Sequence, residues 1–270
     1  MRRDLENASP ARRHFFHVLG ALAGAAVLPA FSKSAEAQTR PRPSPRPTPS
    51  PRPGPSCILR GTRILSSRGV ERVECLSIGD RVVTIGGEAK PIKWIGRQHF
   101  THARSARWPD CVHPIRVTRS ALADNVPSAD LYLSPMHCLF IDGALIEVKD
   151  LVNGTSIARA VPDGMRNIEY FHVELGTHEV MFAEGAPVET LLVSDGRERF
   201  GNFVEHERLY GPDIGPAMVP CAPVLGYSRT RAHLKALLRL GVSHLVDVRD
   251  PIQVAYDRIA ARATHSCVAV

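Results

Sequence analysis

The groups best equipped for chemistry in this 270-residue sequence are thiols and imidazoles, six cysteines and twelve histidines. Cys57 stands out among the thiols, because it follows directly on a proline-rich stretch and opens the first strand-like run, CILRGTRIL. A cysteine with a pKa of about 8.5 is only a few per cent thiolate at neutral pH, so a nucleophilic role needs a base or a positive charge beside it. Histidine has the pKa for that task. Ser134 and His137 bracket the string SPMH, and His172 sits in YFHVEL. A lone histidine is more often packing than chemistry, so these positions need a context. His99, His102, Cys111 and His113 form an HxxH…CxH cluster of zinc-ligand types, but the spacing matches no closed zinc motif, and no metal or other cofactor is expected. A conventional secreted hydrolase finds no Ser-His-Asp context here and no metal motif.

The elements that must hold these groups read as short strands. Arg68-Gly69, Gly79-Asp80 and Gly86-Gly87 divide β-branched runs in a strand-and-turn rhythm. The rhythm returns 75 residues on, where Val73, Leu76, Gly79 and Val82 correspond to Val148, Leu151, Gly154 and Ile157. Each copy, GVERVECLSIGDRV and ALIEVKDLVNGTSI, follows a strand-like run, TRILSS and CLFID. Duplication of a β unit accounts for this and predicts a pseudo-two-fold, mainly β domain. Further strands are expected at Ile92 to Ile95, Ile115 to Thr118, Tyr170 to Leu175 and Glu179 to Phe182.

Charge and composition divide the rest. Residues 1–37 carry net +2, residues 38–56 carry +4, and everything after Ser56 about +1. The basic balance therefore lies outside the folded part, so the high pI does not signal a nucleic-acid-binding face, and no nucleic-acid partner is expected. Residues 1–37 read as an export signal: Arg12-Arg13, an apolar stretch from Val18 to Phe31 too short to span a bilayer, and a small-residue cleavage site before Gln38. The arginine pair and glycine-bearing core resemble a twin-arginine signal; an ordinary secretory signal is the alternative. Either way the protein is expected to be exported, periplasmic or secreted, with no integral membrane anchor. Eight prolines between Pro41 and Pro55 make residues 38–56 an extended spacer. In an exported chain disulfides are permitted, and Cys221 could pair with Cys267. In the tail, 196–270, the segment to Leu225 reads as irregular; helices are expected over Arg229–Gly241 and over Ile252–Ala263, packing on the β domain and shielding its edges.

A cysteine opening the domain, then GT-x-I, VE-x-L-x-x-GD-x-V and a T/S-x-x-H motif, resembles the Hint (hedgehog/intein) family. The strings KWIG (93–96), HPIRV (113–117), DLYLSPMH (130–137) and HEVMFAEGAPVETLL (178–192) are similar to its bacterial subtype. The resemblance covers residues 57–195 and implies a β horseshoe of two related halves, followed by a short α-helical C-terminal extension over 196–270. It implies that Cys57 attacks the Ser56 carbonyl to form a thioester, that His137 protonates the leaving amide nitrogen, and that Ser134 takes the place of the usual threonine. Aligning YFHVEL puts His172 where inteins carry an aspartate that activates the cysteine; a one-residue shift would put Phe171 there. Splicing is not expected, because Val188-Glu189-Thr190 stands where that family carries His-Asn. The implied activity is self-cleavage at Ser56–Cys57, with water or a small nucleophile as acyl acceptor and no other partner. The competing reading is a catalytically degenerate domain used as a structural or binding module.

Overall fold

The computed structural model describes residues 54–101, 107–193, 196–212, 218–227 and 250–268. The segment expected to be an export signal, most of the expected spacer and the helix expected over Arg229–Gly241 lie outside the described residues. The chain from Ile58 onward folds mainly as short strands. The first half supplies β1 (Ile58–Leu59), β2 (Arg63–Ser66), β3 (Gly69–Arg72), β4 (Arg81–Val83), β5 (Ala89–Pro91), β6 (Trp94–Thr101) and β7 (Ile115–Val117). The second supplies β8 (Leu131–Leu133), β9 (Cys138–Ile141), β10 (Ala144–Glu147), β11 (Ile157–Arg159), β12 (Asn167–Glu174), β13 (Val180–Ala183) and β14 (Ala186–Glu189). Helix α1 (Phe203–Tyr210), β15 (Val224–Leu225) and helix α2 (Pro251–Val268) follow.

The duplicated sequence folds as duplicated structure. Each copy runs hairpin, one 3₁₀ turn, strand: β2–β3, Val73–Cys75 and β4 in the first, β9–β10, Val148–Leu151 and β11 in the second. The corresponding glycines Gly79 and Gly154 both close the link at positive φ, 92° and 77°, where a side chain would be strained. Val73, Leu76 and Val82 of one copy and Val148, Leu151 and Ile157 of the other all enter the same buried cluster.

Two sheets result. One has the order β11-β7-β8-β1-β12-β6; the other runs β15-β10-β9-β14-β13-β2-β4-β5, with β3 on β2. The long pairing of β12 with β6 keeps register from Asn167–Thr101 to Glu174–Trp94 and forms one border of the first sheet. The expected strand at Ile92 to Ile95 is therefore displaced: it begins at Trp94 and runs on to Thr101, because β12 offers eight partners in line.

The edge of β6 does not stay bare. Asn202 presents its amide like a short strand, its Oδ1 accepting from the Arg97 N–H at 2.7 Å and its Nδ2 donating to the Ile95 carbonyl at 2.9 Å. The Gly201 N–H adds a bond to the Arg97 carbonyl at 2.8 Å. These contacts satisfy groups that would otherwise recruit another strand. The segment before Leu225 was expected to be irregular, yet Phe203–Tyr210 is helical. FVEHERLY has no apolar stripe, His206 being its one buried residue, so docking on β6 makes the helix and its own pattern does not signal it. Helix α2 matches the expectation, burying Ile252, Ala255 and Ile259 in the main core. Among the described residues no helix is long and apolar enough to cross a membrane.

Candidate active site

The site is built where β1 is held between two strands. Ile58 pairs with Leu133 of β8 on one side and with Phe171 of β12 on the other. Carried back one residue, the same registers set Cys57 between Ser134 and His172, and the Ser134 N–H donates to the Cys57 carbonyl at 2.9 Å. Side chains alternate across a strand, so Ile58 and Phe171 go to the main core. Cys57 faces the other way, into a second cluster with Trp94, Tyr170, Leu191 and Phe200. The register thus puts His172 opposite Cys57 and turns Phe171 away.

The hydroxyl of Ser134 spans the peptide bond that precedes Cys57. It accepts from the Cys57 N–H at 2.6 Å and donates to the Pro55 carbonyl at 2.6 Å. A tight turn through SPMH, with the His137 N–H on the Ser134 carbonyl at 3.0 Å, folds the imidazole of His137 back into the same buried space. Its ring centroid lies 5.0 Å from that of His172. Cys57, Ser134, His137 and His172 are all buried, so the structure brings the four together. His99 and Cys111, by contrast, are exposed, His113 is half-buried, and His102 lies outside the described residues. Among the described residues no cluster of His, Cys, Asp or Glu has the geometry to hold a metal.

Burial sets the electrostatics. It raises the Cys57 thiol well above its ordinary range, and the Glu189 carboxylate adds to the rise. It lowers the His137 imidazole, with Glu189 and the Ser56 backbone offsetting part of the effect. Burial, then the neighbouring His137, brings His172 down to about 3. None of the four ring nitrogens of this pair has a hydrogen-bond partner of good geometry. At neutral pH the site therefore holds a thiol and two neutral imidazoles. Each charged form of these groups must be paid for in desolvation.

Three participants escaped the sequence reading. Glu189 accepts from the Ser56 hydroxyl at 2.8 Å and from the Cys138 N–H at 2.9 Å. Although burial alone would raise it, His178, the two site histidines and the Ser56 hydroxyl together bring its pKa to about 2. His178 stands with Nε2 3.8 Å from that carboxylate, and its Nδ1 accepts from the Cys221 N–H at 3.1 Å. In sequence Glu189 read only as a missing histidine. A carboxylate inside the largely apolar run APVETLL was the available signal, since such a group is buried only with partners.

The third is Phe200, from the extension. Its ring meets Trp94 edge-on at 5.4 Å and His172 at 6.4 Å. Gly96, the last residue of KWIG and the β6 partner of His172, leaves room for it: a Cβ there would lie 2.5 Å from the Phe200 ring. Arg197 anchors the segment by a two-pronged pair to buried Glu174, at 2.7 and 2.8 Å, and Lys93 joins that carboxylate at 3.0 Å.

The family profile described as Hint domain matches residues 56–195, just over half of the chain. The chain belongs to the Hint domain family. The match begins at Ser56, the residue before the cysteine, and ends before the segment that carries Arg197 and Phe200. Solved structures similar to this Hint domain share little sequence. A bacterial intein-like domain from Clostridium thermocellum is 14% identical, covering 51% of this chain and 100% of its own, with a TM-score of 0.36. The MchDnaB-1 intein is 11% identical, over 48% of this chain and 98% of its own, with a TM-score of 0.35. The gp41-1 intein is 10% identical, over 49% and 96%, with a TM-score of 0.33. No curated protein matches this Hint domain.

Proposed function

We propose that this Hint domain cleaves its own chain between Ser56 and Cys57 through a thioester on Cys57, without splicing, and that it does so as part of an exported protein. The observation that carries the reading is the Ser134 hydroxyl, tied on one side to the Cys57 N–H and on the other to the Pro55 carbonyl, both at 2.6 Å. It fixes the peptide on either side of the bond to be broken, and fixed geometry is worth several powers of ten in an intramolecular attack.

The step balances within the chain. The Cys57 sulfur bonds to the Ser56 carbonyl carbon and the Ser56–Cys57 C–N bond breaks. The thiol proton passes through the imidazole pair, His172 on the Cys57 side and His137 from the SPMH turn, to the departing nitrogen. Ser56 then ends as a thioester, and the new amine belongs to Cys57. Water or an added thiol attacks that carbonyl, returning the Cys57 thiol and releasing the spacer with Ser56 at its end. Val188-Glu189-Thr190, where splicing relatives carry His-Asn, supplies no asparagine to cyclise, so the reaction ends there.

A second reading has its own support. The Cys57 thiol is pushed well up and His172 down to about 3, so charge separation at the site is costly. On this reading the fold is retained as an exported module and the bond stays intact. Intact mass of leaderless protein, with and without dithiothreitol or hydroxylamine, separates the two. Thiol-dependent loss of the spacer in wild type but not in Cys57→Ala supports cleavage; an intact spacer in both leaves only the module.

A further inference from the structure

We infer that Glu189 reads the side chain at position 56, taking a residue that donates a hydrogen bond and refusing one that carries negative charge. The inference rests on the reading that Ser56–Cys57 is the bond processed, and it names the class of residue on the acyl side of that bond.

A serine hydroxyl has one proton to give. Two acceptors stand near that of Ser56, Glu189 Oε1 at 2.8 Å and the Met136 carbonyl at 3.2 Å. The shorter, charge-assisted bond takes the proton. The carboxylate is held in place for this. Its Oε1 also receives the Cys138 N–H at 2.9 Å, and its Oε2 faces His178 Nε2 at 3.8 Å. Because His178 Nδ1 accepts from the Cys221 N–H, its Nε2 is the nitrogen left to donate, on the side that faces Glu189. Glu189 is only 5% exposed, so losing the Ser56 donor leaves a largely buried carboxylate short of a partner. A second carboxylate at position 56 would meet a like charge at close range. Cys221 lies beyond the matched family segment, so this selectivity device is assembled in part by the extension.

The test uses the full chain in two forms. In an uncleavable Cys57→Ala background, equilibrium unfolding is compared for Ser56→Thr, Ser56→Ala, Ser56→Asn and Ser56→Asp. Asn and Asp have the same shape and differ in charge. The unfolding constant of the Asp variant is expected to exceed that of the Asn variant by about tenfold or more, and Glu189→Gln to erase the difference. Should Glu189→Gln fail to fold, the Asn–Asp difference still decides. With Cys57 intact, thiol-dependent cleavage followed by mass is expected to stay within about threefold for Ser56→Thr, to slow about tenfold for Ser56→Ala, and more for Ser56→Asp. Equal unfolding of the Asn and Asp variants overturns the inference, whether or not the chain cleaves. A wild-type chain that keeps its spacer, with the Asn–Asp difference present, overturns the cleavage reading and supports the recognition by Glu189.

Discussion

The rings of His137 and His172 stand 5.0 Å apart, centroid to centroid, with both side chains buried. Burial lowers both imidazoles, and the neighbouring His137 lowers His172 further. The unfolded chain has no such restraint and takes protons near the ordinary value of 6.5, whereas folded His172 waits until about 3.

This difference makes the fold acid-sensitive. Between about pH 6.5 and pH 3 the unfolded state binds more protons, so stability rises with pH across that window and is lost as pH falls through it. Glu189 adds a loss of the same sign lower down, between its ordinary 4.5 and about 2. Urea unfolding from pH 7 to pH 4.5 should show falling stability. Replacing His172→Phe should flatten the slope by about one proton, or about 1.4 kcal/mol per pH unit. An unchanged slope in that variant would remove His172 as the source.

Ser134→Ala removes the hydroxyl that links the Cys57 N–H and the Pro55 carbonyl. Cleavage of the Ser56–Cys57 bond is expected to slow by about ten- to a hundredfold, while Ser134→Thr, which keeps the hydroxyl, retains most of the rate. Timed intact-mass measurement under thiol reads both. Equal rates for the Ala and Thr variants would show that the hydroxyl does not position the bond.

Gly96→Ala sets a methyl group 2.5 Å from the Phe200 ring. The clash should cost about 1–3 kcal/mol in unfolding. Phe200→Ala in the same chain removes the clash, so the two changes together should be less damaging than their sum. Additive losses would mean that the ring does not rest on β6 in solution.

Arg197→Met breaks the two-pronged bond to Glu174 and leaves that buried carboxylate to Lys93 alone. The loss is expected near the lower end of about 3–5 kcal/mol, because one cation remains. Thermal unfolding measures it. Near-ultraviolet circular dichroism, sensitive to Trp94, should also change as Phe200 loosens. A neutral result would mean that the segment does not depend on this ion pair.

Legibility followed the range of the forces. The paired hairpins were visible because Val73, Leu76 and Val82 and their counterparts Val148, Leu151 and Ile157 repeat a local burial pattern, which two copies of one strand unit must share. Helix α2 was visible for the same reason, through Ile252, Ala255 and Ile259 on one face. Helix α1 was not, because its stability comes from Asn202 and its neighbours on β6, about a hundred residues away in sequence.

The sequence by itself determined the strand units, their duplication and which thiol opens the domain, all of which follow from side-chain type and short spacing. Only the tertiary structure decided the company that thiol keeps. Ser134, His172 and Glu189 are 77, 115 and 132 residues from Cys57 along the chain. Ser134 and His172 meet it because β1 is paired on both sides in one register, and a shift of a single residue would turn Cys57 to the opposite face; Glu189 arrives from β14 of the other sheet.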